Sequence, residues 1–340
     1  MTNEGLEPDY SPYNPWAMDN SIFYTKTEAN GFDNLQVDLD SLYAKYPLEK
    51  VLTQAGPRSS LDHRKNLFRS EWLPLKFRLR AWQAAFRSQL DVSWFQEFNI
   101  YWTTRLGGRP LWSPHDLYFL KNIYRVKFQQ NILPDTEDPN THLQAWQRPE
   151  ILYSLLHLLT KETFMSDVRV LQKALKLCGK ARGASILEYG CGLAPLTYAA
   201  LKFLGSSRRN QFHLADLASL PYHYAVWRLR GQPNVRPSLL APEDEFTLKQ
   251  QTPFDAIFCI QVFEHLNKPL ETVRLFHKLL NTKGVLVFDF LQSQGAGLDT
   301  LHAVRERNQV LDFINANFDL LGQAKLDPAK SIDLTFARKA

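Results

Sequence analysis

From Ser166 onward, short apolar runs alternate with stretches of helical period, and few folds accept that order. The runs are ASILEYG (184–190), QFHLAD (211–216), VRPSLL (235–240), FDAIFCI (254–260) and GVLVFDF (284–290). Between them lie PLTYAALKFLG, LPYHYAVWRLRG and NKPLETVRLFHKLLNTKG. Strands that are apolar almost throughout are buried on both faces, and intervening helices supply the cover, so an α/β fold with a mostly parallel sheet is expected. Ser166 is expected to cap a helix with Val168, Leu171, Leu175 and Cys178 on one face and Gly179 at its end. The chain closes with FDLLGQAKLD and SIDLTFARK around Pro328, which reads as an antiparallel hairpin finishing the sheet.

The sequence ahead of that pattern has a different texture. Residues 1–64 carry an acidic excess with Pro, Asn, Asp and Tyr and no sustained period, which reads as a loosely structured arm. Residues 65–165 read as a helical, aromatic-rich region, with LKFRLRAWQAAFRSQL, WFQEFNIYWTTRL and PEILYSLLHLLTKETF broken by GGRP and LPDTEDPN. Basic residues interleave with rings in RKNLFRSEW, KFRLRAW and YRVKF. Nucleic-acid binding would use that mixture, with cations on phosphates and rings on bases. Amphipathic helices that bury the rings and leave Arg and Lys wet use it too, and that is the weightier reading.

Composition bounds the function classes. A chain of 340 residues with 44% apolar and 22% charged residues can bury a sizeable core in two units or one enlarged one. A formal charge of +5 is too mild for a dedicated nucleic-acid binder. No apolar stretch approaches the roughly 20 residues a bilayer span needs. The start, MTNEGLEPDYSPYNPW, is acidic without an apolar core, so no secretory signal is expected. Cys178, Cys191 and Cys259 are too scattered for a disulfide framework or a zinc site and sit in apolar contexts. A cytoplasmic protein with buried free thiols is expected.

The stretch ILEYGCGLAPL (186–196) is where chemistry concentrates. Ligands of an open α/β sheet bind outside the carboxyl ends of its strands, and Gly190 to Ala194 lies at such an end. Glycines there admit backbone angles closed to other residues and let a ligand approach the main chain. Alone, the turn fits a structural role as well as a binding one. A dinucleotide fingerprint would carry a third glycine and rest a pyrophosphate on the helix N-terminus. Here Ala194 and Pro195 occupy those positions, and Glu188 puts a carboxylate just before the turn. A negative side chain disfavours pyrophosphate and favours a cationic ligand. Asp216, ending the next run, can accept from ribose hydroxyls, or alternatively cap the turn that follows it. Glu243 or Asp244, after the third run, could reach an adenine amino group.

LEYGCG, Asp216 and FDAIFCIQVFEHLNKP together resemble the class I S-adenosylmethionine-dependent methyltransferases, over about residues 166–340. FDAIFCIQVFEHL followed by a proline is the most specific part and resembles the small-molecule branch that includes ubiquinone-type O-methyltransferases; LNTKGVLVFDF resembles that family's fifth strand. The resemblance implies a Rossmann-like, seven-stranded sheet with a reversed terminal hairpin, and S-adenosylmethionine as cofactor. By position it implies that Gly190 and Gly192 pass beneath the methionine part, with Glu188 orienting that loop and the ammonium. Asp216 would hold the ribose, Leu217 would lie beside the adenine, and Ile260 and Gln261 would lie near the methyl group.

Methyl transfer is an in-line displacement that depends largely on positioning, and a hydroxyl nucleophile gains from a general base. His265 is the candidate base, with a structural role opening the next helix as the competing reading. Cys259 lies inside an apolar run and is expected in the core rather than as a nucleophile. Gln261-Val262-Phe263-Glu264 departs from the Asn/Asp-Pro-Pro-aromatic tetrad of amino methyltransferases acting on bases. The front half would then form a lid over the acceptor pocket, suiting an aromatic, glycosyl or acidic small molecule. RNA or protein methylation, an inactive binding protein of the same fold and a nucleotide-linked dehydrogenase remain as alternatives.

Overall fold

The computed structural model describes residues 93–106, 110–111, isolated positions between 116 and 146, and then 151–161, 164–180, 182–240, 253–292, 300–322 and 324–340. The expected N-terminal arm, and the acidic loop with Glu243 and Asp244, lie outside the described residues.

Two helices come first, α1 (Ser93–Thr104) and α2 (Leu152–Lys161), followed by α3 (Phe164–Leu177). The alternating part then runs β1 (Ser185–Tyr189), α4 (Pro195–Phe203), β2 (Gln211–Asp216), α5 (Leu220–Arg228), β3 (Val235–Leu239), β4 (Phe254–Cys259), α6 (Pro269–Leu279), β5 (Leu280–Phe290) and α7 (Leu301–Asn317). It ends with β6 (Phe318–Leu320) and β7 (Ile332–Lys339). All five apolar runs are strands, and the last two pieces form the hairpin. The sheet has seven strands in the order β3-β2-β1-β4-β5-β7-β6, parallel through β5, with β7 antiparallel to both neighbours. This is the Rossmann-like α/β architecture with a reversed terminal hairpin. Pro237 is tolerated in β3 because that strand is an edge, where a missing N–H costs no ladder bond.

Period-two alternation sorts side chains onto two faces of the sheet. Ile186, Ala256, Phe258, Val285 and Val287 meet Leu171, Ala174 and Leu175 of α3 and Leu196 and Ala200 of α4 on one face. Leu187, Ile257, Cys259, Leu286 and Phe288 meet Val273 and Phe276 of α6 and Val310, Leu311 and Ile314 of α7 on the other. A third cluster joins the front helices to the sheet, with Phe98, Tyr101 and Trp102 of α1 and Leu155, Leu156 and Leu159 of α2 packed with Cys191, Leu193, Tyr224 and Trp227.

That third cluster explains why α5 is buried along its whole length instead of keeping a wet outer face. α1 lies over it, with Tyr101 centred 4.8 Å from Tyr224 and 5.2 Å from Trp227. Tyr101 Oη and His223 Nδ1 share a buried 2.6 Å hydrogen bond, and burial pushes His223 down to about 3, so it stays neutral there. The rings of WFQEFNIYW therefore enter the core, whereas RKNLFRSEW and KFRLRAW lie outside the described residues.

Two local expectations change. α3 starts at Phe164, so Ser166 sits in its first turn instead of capping it. A serine costs a helix only about 0.5 kcal/mol and need not mark a start. Cys178 is half-buried, whereas Cys191 and Cys259 are buried, and all three are free thiols. Gly179 ends the helix as expected, at φ 71°, with Lys180 N–H donating to the Leu175 carbonyl and Gly179 N–H to that of Lys176.

Candidate active site

The sheet order reverses between β1 and β4, and the crevice at their carboxyl ends is where an open α/β sheet takes its ligand. Three segments converge there. Gly190 and Gly192 follow β1 at φ 61° and 50°, Asp216 ends β2, and Ile260 to His265 follow β4.

Glu188 shares the strand parity of Ile186, so its side chain faces α4. Its two oxygens accept from Leu196 N–H at 3.2 Å, Thr197 N–H at 3.0 Å and Thr197 Oγ1 at 2.6 Å. α4 needs this help. Its N-cap, Ala194, has no side-chain acceptor and sits in the left-handed region at φ 50°, and Pro195 opens the helix without a donor. The carboxylate from the preceding strand thus caps the helix and faces the positive end of its dipole. A pyrophosphate has no place here, because the amides it would use are already taken by a carboxylate.

Burial pushes the Glu188 carboxyl up to about 7, against the bonds from Thr197 and Leu196 that pull it down. A folded value above the unfolded one means that the stability tied to its protonation is full below about 4.5 and lost as pH rises through about 7. Between pH 5 and 8, wild type should therefore lose about 2–3 kcal/mol relative to Glu188→Gln, measured by urea unfolding. A pH-independent difference would mean the carboxylate stays ionised throughout.

Asp216 ties the turn to β2. Its Oδ2 accepts from Gly192 N–H at 2.6 Å and its Oδ1 from Leu217 N–H at 2.7 Å. Gly190 N–H donates to the Ala215 carbonyl at 2.8 Å. Asp216 is half-buried, so lone pairs beyond those two bonds remain for a ligand's hydroxyls. Burial holds its carboxyl up at about 6, with the Gly192 and Leu217 amides pulling the other way. Leu217 packs at the margin of the α6/α7 core.

The β4 end meets the same turn. A Cβ on Gly190 would run into both methyls of Val262, so the approach of the two loops needs glycine there. Gln261 adopts φ 59°, one of three non-glycine residues with positive φ among the described residues. Asp289 on β5 holds it, accepting from Gln261 N–H at 2.6 Å and Gln261 Nε2 at 2.7 Å. His265 lies in a short 3₁₀ turn spanning Phe263–His265, with its ring 5.9 Å from that of Trp146 in an edge-on arrangement. Ile260 is half-buried beside the α3/α4 core.

Gly190, Gly192, Asp216, Ile260, Gln261 and His265 thus come from the three segments at this end of the sheet, whereas Glu188 turns into α4 and Leu217 lies against the α6/α7 core. Thr197, Val262, Asp289 and Trp146 join them without having been foreseen. An Asp in the otherwise apolar run GVLVFDF was the available signal for Asp289.

Residues 162–318 match the family model described as a methyltransferase domain. This segment is a class I methyltransferase domain. Enzymes of this class are S-adenosylmethionine-dependent, and that cofactor belongs to this one too. The match reaches the class and singles out no ubiquinone-type branch. No curated protein matches the methyltransferase. Distant likenesses exist among solved structures. The N-methyltransferase NodS from Bradyrhizobium japonicum WM9, in complex with S-adenosyl-L-homocysteine, is 16% identical; the alignment covers 53% of this chain and 89% of that one, with a TM-score of 0.38. The 1,6-didemethyltoxoflavin-N1-methyltransferase of Burkholderia thailandensis is also 16% identical, covering 68% and 92% at a TM-score of 0.39. A SAM dependent methyltransferase from Aquifex aeolicus is 17% identical, covering 60% and 99% at 0.37. Among the described residues no helix is long and apolar enough to cross a membrane.

Proposed function

We propose that this methyltransferase transfers a methyl group to a hydroxyl of a small molecule in the cytoplasm, where its free thiols stay reduced. The observation that carries the reading is the convergence of three strand ends on one glycine turn, through Gly190 against Val262 and Asp216 on Gly192. The residues fit the cofactor. The turn is backbone-rich and half-exposed at Gly192, and Asp216 keeps acceptor capacity for ribose hydroxyls. Gly190 and Gly192 would lie beneath the methionine part, Leu217 beside the adenine, and Ile260 and Gln261 near the methyl. S-adenosylmethionine supplies a methyl group on a positively charged sulfur. Glu188 acts on it at one remove, by fixing α4 and the turn. His265 stands where it can take a proton from the acceptor hydroxyl.

The small-molecule reading is supported by Trp146, which comes from the front region and lies against His265, so that region reaches the acceptor side of the crevice. Such a ring suits an aromatic, glycosyl or acidic acceptor. The test is calorimetric titration with S-adenosylmethionine and with NAD, followed by incubation with phenols, glycosides, carboxylic acids and RNA. Binding of NAD without S-adenosylmethionine would overturn the cofactor assignment. Salt-sensitive binding and methylation of RNA would replace the small-molecule reading.

Asp216→Ala should weaken S-adenosylhomocysteine binding about 10–100-fold, the range expected for lost hydrogen bonds to a charged group. Because ribose hydroxyls bond best to the ionised carboxylate, wild-type affinity should fall as pH drops below about 6. Asp216→Asn should bind weakly with a flat profile over the same range. An unchanged affinity in either variant would remove Asp216 from the ribose site.

A further inference from the structure

Asp289, which the cofactor reading does not use, is paired with Gln261, which that reading places near the methyl group. Gln261 is exposed, left-handed and placed at the carboxyl end of β4, where a non-glycine residue in that conformation carries strain. Asp289 is buried and gives both carboxylate oxygens to Gln261, one to its backbone N–H and one to its side-chain amide, at 2.6 and 2.7 Å. These are charge-assisted bonds in short, paired geometry.

The pairing fixes a polarity. A carboxylate only accepts, so the Gln261 nitrogen must face Asp289, and its carbonyl oxygen must occupy the other branch. Among the described residues no donor reaches that oxygen. Asp289 likewise forms no ion pair with a lysine or arginine among the described residues, and His265 is near enough to act against the rise in its carboxyl. Burial raises its carboxyl, which a nearby cation would oppose. An outward carbonyl oxygen backed by a buried carboxylate is suited to a cationic N–H donor.

We propose that Asp289 is a positioning residue that locks Gln261 with its carbonyl oxygen outward, as the acceptor for the ammonium of the cofactor's methionine part. The inference rests on the methyltransferase reading and adds a recognition role that acts from β5 through β4.

The test uses full-length protein, with S-adenosylhomocysteine and 5′-methylthioadenosine as probes. The second shares the nucleoside and lacks the ammonium. In Asp289→Asn the new amide nitrogen forces Gln261 to turn over, presenting nitrogen where oxygen was. S-adenosylhomocysteine affinity should then fall about tenfold or more, while methylthioadenosine affinity stays within about twofold. Adding Gln261→Glu restores an acceptor on both branches, and the double variant should regain most of the loss. Should Asp289→Asn not fold, Gln261→Met removes the same carbonyl from an exposed side chain and should show the same ligand-selective loss. Equal loss for both probes, no loss for either, or a double variant no better than the single would overturn the proposal. Wild-type protein that binds neither probe would overturn the methyltransferase reading and this inference with it; wild-type binding with an unchanged single variant would overturn the inference alone.

Discussion

Gly190→Ala is expected to cost about 2–5 kcal/mol of folding stability and to abolish measurable S-adenosylhomocysteine binding. Two effects add. An L-residue in the left-handed region costs roughly 1–2 kcal/mol, and Gly190 sits at φ 61°. Overpacking a filled site costs about 1–3 kcal/mol more, and the new Cβ would collide with both methyls of Val262, a buried side chain just after β4. The nearest escape moves the turn away from β4, which breaks the bond from Gly190 N–H to the Ala215 carbonyl and shifts the ligand surface. Gly192→Ala provides the control. Its φ of 50° imposes the same kind of strain, but its Cβ would meet only Leu158 Cδ1 at an ordinary 3.8 Å. The second variant should lose only about 1–2 kcal/mol. Val262→Ala removes the colliding methyls, so combining it with Gly190→Ala should recover the overpacking part and leave the backbone part. Urea unfolding and calorimetry read both quantities. If Gly190→Ala were no worse than Gly192→Ala, loop contact with Val262 would not be what demands glycine at 190.

The sheet was legible because its strands are marked twice, by unbroken apolar runs and by the helical periods between them. The place of Asp216 at the end of β2 was legible because the end of a strand is a position that sequence defines well. The direction of Glu188 was harder to see. Its place before the glycines suggested a charge beside a cationic ligand, whereas its carboxylate turns into α4 and caps it. A signal was present in Ala194-Pro195, a helix start with no Ser, Thr, Asp or Asn, which has to find its cap elsewhere. Asp289 stayed hidden because its partner on the β4 loop lies 28 residues away, and only the β4–β5 register brings the two together. The contact between Trp146 and His265 spans still more chain and leaves no local trace. Local pattern fixes elements and strand ends, while contacts between loops depend on register and helix docking.

Docking also governs the second large effect, which is expected when residues 1–161 are removed. The remaining chain keeps the whole of the segment that matches the family model. It loses α1 and α2, and with them Phe98, Tyr101, Trp102, Leu155 and Leu156, each 0% exposed in the intact protein. Those side chains are one wall of the cluster that holds Cys191, Leu193, Tyr224 and Trp227, so their removal bares the glycine turn and the outer side of α5 together. Truncating one buried aromatic side chain costs about 3–5 kcal/mol, and whole domains are stable by only about 5–15 kcal/mol. Three such rings on α1 alone amount to about 9–15 kcal/mol, as large as that whole margin. His223 would also lose the buried hydrogen bond that it shares with Tyr101. The truncated protein should therefore show no cooperative thermal transition, aggregate through the bared aromatic face, and bind no S-adenosylhomocysteine. A soluble fragment that unfolds cooperatively and keeps wild-type affinity would show instead that the front helices are an independent lid. If they share the core, as the packing of α1 on α5 requires, whatever shifts α1 also shifts the glycine turn, and acceptor recognition by the front region is mechanically tied to the cofactor site.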